Sequence, residues 1–147
     1  MQDLPHLYTV SATAKPDVNV RLAAAGLPDL ETAGPPEFGG PGDVWSPETL
    51  LVGSVADCFI LSFRAIARTA RLEWTNLECT AEGTLNKLGK FNQFTGFTVK
   101  AILTIPPEMN RAKAETILEK AEKYCLVTNS MKAESHLEAT VIVTGAA

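Results

Sequence analysis

The stretch Ser46-Pro-Glu-Thr-Leu-Leu-Val-Gly-Ser-Val-Ala-Asp-Cys-Phe-Ile-Leu-Ser-Phe-Arg-Ala-Ile-Ala-Arg-Thr-Ala-Arg71 decides how the chain folds. Ser46 is an N-cap residue type, and Pro47 suits the first helical position, where no backbone N–H is needed. Glu48 falls in the first turn, where the helix dipole favours a carboxylate. Leu50, Leu51, Val52, Val55, Phe59, Ile60, Leu61 and Phe63 cover nearly the whole circumference. A helix apolar all round is a buried one. The apolar run is too short and too flanked by charge to be expected to span a membrane. Arg64, Arg68 and Arg71 mark where the helix re-emerges, and cations suit its C-terminus.

Cys58 stands in the middle of this helix, behind the pair Gly53-Ser54. Gly/Ser pairs are kink points. A helix restarting there, with Ser54 as a second N-cap, puts Cys58 about one turn inside a fresh N-terminus, where the dipole lowers a thiol pKa.

Composition sets the frame around this helix. The chain has 147 residues, enough for one domain with a sizeable core, and residues 1–147 read as a single domain. A net charge of −4 argues against nucleic acid or an anionic membrane as partner. No basic segment followed by an apolar run opens the sequence, so neither a signal peptide nor a membrane span is expected. Three cysteines at unpatterned spacing do not make a secreted disulfide framework, and a cytoplasmic protein is the default.

Before the helix, His6–Thr13 alternates like a strand, Ala14-Lys15-Pro16-Asp17 turns, and Val18, Val20 and Leu22 alternate with Asn19 and Arg21 in a return strand. From Gly26 to Asp43 the chain reads as a long loop rich in proline and glycine, a kind often functional. After the helix, a strand from Thr75 to Leu85 and one from Phe97 to Leu103 form a hairpin around Asn86–Lys90. A second helix runs from Asn110 to Tyr124 with Ala114, Ile117, Leu118 and Ala121 on its apolar stripe, and Cys125 continues that stripe. Leu137, Ala139, Val141 and Val143 alternate in a final strand.

This order predicts an α+β domain whose antiparallel sheet wraps a long buried central helix. One sheet covers one face of such a helix, so a second copy of the chain is expected to cover the rest in an intertwined homodimer.

The motif Ser-Pro-Glu-x-Leu-Leu-x-Gly-x-x-x-x-Cys-Phe, with Glu48 ten residues before Cys58, resembles the first-cysteine motif of the OsmC/Ohr family of organic hydroperoxide reductases. Glu-Lys-Tyr-Cys-Leu-Val-Thr-Asn-Ser, around Cys125, is similar to the family's second-cysteine segment. The likeness extends from Tyr8 to Val143. It implies a thiol peroxidase without a bound cofactor, with Cys58 as peroxidatic cysteine and Cys125 as the thiol that resolves its sulfenic acid to a disulfide. A lipoyl or thioredoxin-type dithiol protein is the implied reductant. In the family a glutamate and an arginine surround the first thiolate at a dimer interface. Glu48 matches the glutamate. The arginine position aligns with Lys15, which lacks the planar fork of a guanidinium, and Arg21 is the other cation at hand.

Elementary thiol chemistry agrees with this likeness. The nucleophile must be a thiolate, and a second thiol protects its sulfenic acid from irreversible oxidation. Leu51, Val55 and Phe59, with Phe38 or Trp45, are the expected apolar lining for a fatty or aryl hydroperoxide. Cys79, between Leu77 and Ala81, reads as core filler, as free cysteines usually are. Asp57 needs a partner if its helix is buried. His6 and His136 lie on unrelated strands, so no metal site is expected. The competing reading is a non-redox acyl-binding or hot-dog-like thioester-processing protein, which also wraps a sheet around one apolar helix but gives two cysteines no task.

Overall fold

The computed structural model describes Met1–Gly145. Its architecture is α+β, as the alternation of strand and helix patterns predicts. The chain divides into two compact units, Met1–Leu50 and Leu51–Ala147.

In the first unit, β1 (Ser11–Thr13), β2 (Val20–Ala23) and β3 (Leu30–Thr32) form an antiparallel sheet in that order. The expected hairpin is present but shorter than the His6–Thr13 alternation suggests. The segment expected to be loop contributes β3 and a 3₁₀ turn, Pro36–Phe38. Its backbone is tied down further by the Ala33 N–H, which donates to the Trp45 carbonyl at 3.0 Å. Proline and glycine hide such short pieces, because they mark turns without saying what lies between.

The helix α1 runs unbroken from Pro47 to Thr69. Its start is a reciprocal cap: the Thr49 N–H donates to Ser46 Oγ at 3.1 Å, and the Ser46 N–H to Thr49 Oγ1 at 2.9 Å. Its end is a Schellman-type turn in which the Leu72 N–H reaches the Ala67 carbonyl at 2.9 Å, with Arg71 at φ 53° where glycine is commoner. One expectation is corrected here. No second N-terminus forms at Ser54, whose hydroxyl instead donates to the Leu51 carbonyl at 2.6 Å inside the continuous helix. Within one chain Val55, Phe59, Phe63 and Ala67, spaced by four, make a single buried stripe, the one face of α1 that the chain itself covers. Only 22% of its most apolar window is buried within the chain, and at 23 residues it is long and apolar enough by composition to cross a membrane.

In the second unit β4 (Asn76–Leu88) and β5 (Phe91–Ile105) form a long hairpin closed at Gly89-Lys90, tighter than the expected Asn86–Lys90 loop. Gly89 supplies the left-handed residue of that turn at φ 61°. Residues Phe97, Val99, Ala101, Leu103 and Ile105 of β5 point into the core with the α1 stripe. The helix α2 (Arg111–Lys123) is capped by Asn110, whose side chain accepts from the Lys113 N–H at 2.9 Å. Its Ala114, Ile117, Leu118 and Ala121 are buried, as its periodicity predicts. A short helix α3 (Leu126–Asn129), not expected, follows.

The last strand, β6 (Glu134–Val143), joins β5 in parallel register, so the sheet β4-β5-β6 is mixed rather than antiparallel. Parallel neighbours need a crossover, and α2 with α3 supplies it.

The approach of α1 to the sheet depends on Gly83. A Cβ there would lie 2.8 Å from Val52 Cγ2 and 2.9 Å from Phe94 Cε1. Glycine in a strand often marks such a close approach. Phe63 meets Trp74 edge to face at 5.4 Å between ring centroids, locking the far end of the helix.

Candidate functional site: a pair of facing thiols

The α1 helix carries Cys58 on a half-buried face, with Sγ 4.0 Å from the Ser62 hydroxyl one turn later. Cys58 lies three turns inside the continuous helix, beyond the reach of the terminal dipole. Cys125 is the N-cap residue of α3 and is buried to 1% exposure. Its backbone is pinned from both sides: its N–H donates to the Glu122 carbonyl at 3.3 Å, and its carbonyl accepts from the Thr128 hydroxyl at 3.2 Å.

Cys58 and Cys125 come together although they stand 67 positions apart in the sequence (125 − 58). Burial pushes the Cys125 thiol up. The amide and hydroxyl of Thr128, near it without closing a cap hydrogen bond, pull partly the other way, and the facing Cys58 thiol raises it further. A buried, protonated Cys125 beside a half-exposed Cys58 is an asymmetric pair. Cys58 keeps part of its surface exposed, and Cys125 keeps almost none. Both are free thiols.

The third cysteine, Cys79, is half-buried on β4. Burial, with Cys125 adding to it, pushes its thiol from 9.0 to about 11. The reading as core filler holds for its packing, since Cys79 touches the core. Thr128 was missed, although the spacing Cys-x-x-Thr after a helix is a legible turn signal.

The other candidate residues lie in the Met1–Leu50 unit. Glu48 occupies the first turn of α1, and its Oε2 is buried without a hydrogen-bond partner. Lys15 is exposed in the β1–β2 turn. Arg21 is exposed on β2, with its Nε 3.1 Å from Asp29 Oδ2. Such a surface pair adds little to stability. Asp57 is exposed, so it needs no buried partner within the chain.

The apolar lining differs from expectation. Val55 and Phe59 are wholly buried in the core and line nothing open. Leu51 instead borders a cavity of about 310 Å³ with Phe94, Phe97, Met131 and Ala133. Leu51 precedes Cys58 by seven residues, so both share one face of α1. Phe38 and Trp45 are exposed in the first unit. Among the described residues no group of three His, Cys, Asp or Glu side chains is placed to hold a metal ion.

Comparison with known proteins agrees with this architecture. The chain is 29% identical over 121 residues to the uncharacterized protein YmaD of Bacillus subtilis, covering 76% of this chain and 77% of that protein. It is 28% identical over 128 residues to the organic hydroperoxide resistance protein of Xanthomonas axonopodis pv. citri, covering 86% and 88%. Among solved structures, an OsmC-like protein from Vibrio cholerae superposes with a TM-score of 0.83 at 17% identity, covering 92% of this chain and all 100% of that one, a likeness of fold. An organic hydroperoxide resistance protein from Legionella pneumophila matches with a TM-score of 0.72 at 27% identity, covering 95% and 100%. The family described as OsmC-like protein matches residues 40–140, a span that includes both facing cysteines, and the chain belongs to that family.

Proposed function

We propose that this protein is a thiol-dependent peroxidase that reduces organic hydroperoxides to alcohols. The observation that carries the reading is the adjacency of a half-exposed Cys58 and a buried Cys125. Membership of the OsmC-like family, and relatives named for organic hydroperoxide resistance, support a role in hydroperoxide detoxification.

The Cys58 thiolate attacks the distal oxygen of the hydroperoxide. The O–O bond breaks, the alkoxide takes a proton and leaves as alcohol, and Cys58 becomes a sulfenic acid. The Cys125 sulfur then attacks Cys58 Sγ, a hydroxide leaves and is protonated to water, and a disulfide forms. An external dithiol, of the lipoyl or thioredoxin type, reduces it by exchange. Burial of Cys125 suits this order, because a covered thiol is spared direct oxidation until its partner has reacted. The apolar cavity beside Leu51 favours a hydroperoxide with a fatty or aryl tail over hydrogen peroxide.

A thiolate needs a cation or a helix terminus, and the terminus is out of reach. The reading therefore assigns Lys15 or Arg21 to that task, oriented by Glu48. Ten residues of helix separate Glu48 from Cys58, about 15 Å along the axis. A carboxylate that reaches the thiol must then come from a second copy. This matches the homodimer expected from α1, where Leu51 at 37% and Leu61 at 51% exposure remain uncovered by the chain itself. No bound cofactor enters the cycle, and the proposed setting is the reducing cytoplasm.

The test is disulfide mapping by mass spectrometry after treatment with cumene hydroperoxide. A Cys58–Cys125 link, with turnover abolished in Cys58→Ser, is the expected result. Free thiols throughout would favour the non-redox ligand-binding reading instead. Lys15→Arg then tests the anchor: a faster rate with an unchanged fold identifies Lys15 as the cation.

A further inference from the structure

A hydroxyl inside a helix has a default partner, a carbonyl of the turn before it. Its neighbours on α1 and α2 take that partner: Ser54 donates to the Leu51 carbonyl at 2.6 Å, Thr69 to the Ala65 carbonyl at 3.2 Å, and Thr116 to the Ala112 carbonyl at 3.0 Å. Ser62 does otherwise. Among the described residues the partner of its hydroxyl is a sulfur, Cys58 Sγ, at 4.0 Å. The spacing of four stacks the two side chains on one face of α1, and both are half-buried. They run beside the buried stripe, each one position before Phe59 and Phe63, so water reaches the sulfur from one side only in part.

We propose that Ser62 is a further catalytic residue, whose hydroxyl donates to the Cys58 thiolate and holds it in the ionised form that attacks the hydroperoxide. This rests on the peroxidase reading for the reaction it serves.

The direction of the bond follows from the protons. While Cys58 is a thiol, either atom can donate. A thiolate has no proton left, so the Ser62 O–H is then the donor, and its rotor is free to turn toward the sulfur. The Cys58 proton goes to water and the serine keeps its own, so no proton passes through Ser62. A hydrogen bond to an ionised acceptor is shorter and stronger than a neutral one, so the 4.0 Å separation closes as the charge forms. Bonding to the charged form favours that form.

The surroundings leave this donor a task. Cys125 faces Cys58 from the start of α3, and the exposed Asp57 adjoins it on α1; neither brings a positive charge. The start of α1 is too distant for its dipole to act, and Lys15 and Arg21 belong to the other unit. Ser62 is a donor that α1 itself brings to the sulfur, whatever a second copy adds.

The test follows Cys58 in the whole reduced protein by two rates from pH 5 to pH 10. One is a single turnover of cumene hydroperoxide, and the other is alkylation by iodoacetamide, read on the Cys58 peptide by mass spectrometry. Losing a donor worth about tenfold in thiolate population should leave about threefold in rate, because the freed thiolate is the better nucleophile. Ser62→Ala should therefore be about threefold slower than wild type at the acid end and about threefold faster at the alkaline end, so the two profiles cross. Damage to the fold would lower the rate at every pH instead. Ser62→Thr keeps a hydroxyl and should follow wild type, whereas Ser62→Val, of the same shape without it, should follow Ser62→Ala. Alkylation profiles that superimpose for Ser62→Ala and wild type overturn the proposal, as do threonine and valine variants that behave alike. Crossing alkylation profiles with no hydroperoxide turnover in any of the proteins sink the peroxidase reading and leave the Ser62–Cys58 bond standing.

Discussion

The half-buried thiol of Cys58 on α1 faces the fully buried thiol of Cys125 at the start of α3. Each is held by a different structural device, Cys58 by a continuous helix and Cys125 by a helix-to-helix junction. Replacing Cys125 with serine should therefore leave Cys58 in place but without its partner. Cys125→Ser is expected to reduce one equivalent of hydroperoxide without turning over when dimedone traps the Cys58 sulfenic acid, and, without dimedone, to consume a second equivalent as that acid goes on to sulfinic acid. Sustained turnover in that variant would show that resolution occurs elsewhere.

Gly83 admits α1 to the sheet. Gly83→Ala inserts a methyl 2.8 Å from Val52 Cγ2 and 3.0 Å from Phe97 Cε1. Overpacking of this kind costs about 1–3 kcal/mol, to be read from urea denaturation. Adding Val52→Ala should recover part of the loss. An unchanged midpoint for Gly83→Ala would mean that the helix shifts away at no cost.

Phe63 is fully buried and braces Trp74. Phe63→Ala should lose about 3–5 kcal/mol and shift the tryptophan emission to longer wavelength. Because Trp45 is exposed, the change in emission reports mainly Trp74.

The buried thiols set an alkaline limit on stability. Native Cys79 keeps its proton up to about 11, whereas the ordinary thiol value is 9.0. Between those values the unfolded chain binds fewer protons than the native one, so stability falls as pH rises through the window and is fully retained below it. Cys79→Ala should flatten that slope in thermal melts taken from pH 8.5 to 11. Cys125, raised in the same direction, adds to the slope in the same sense.

In the proposed homodimer the uncovered face of α1 meets a second copy. Leu61→Lys places a charge on that face, where the leucine is 51% exposed. Sedimentation velocity should show a dimer for wild type and a monomer for the variant, with turnover falling in step. A wild-type monomer at micromolar concentration would remove the second copy's Glu48 from the proposed site.

The helices were the most legible elements, for a reason that their residues make plain. Ser46, Pro47 and Glu48 spell a start, and Asn110 with the Ala114, Ile117, Leu118 and Ala121 stripe spells another; these are local signals, satisfied within a few turns. The direction of β6 was not legible. Leu137, Val141 and Val143 alternate identically whichever way the strand runs, and only the crossover through α2 makes it parallel to β5. The 3₁₀ turn at Pro36 and the helix at Leu126 were too short to have a period at all.

The sequence by itself determined the α+β class, both long helices and the pair of cysteine motifs, because capping, periodicity and motif spacing are properties of neighbouring residues. Tertiary structure decided the rest. Within one chain it made α1 a one-stripe helix, left the Gly53-Ser54 step unkinked, and brought Cys58 together with Cys125. Burial and proximity between sulfurs distant in the chain depend on how sheet and helices close on one core, and no local pattern encodes that.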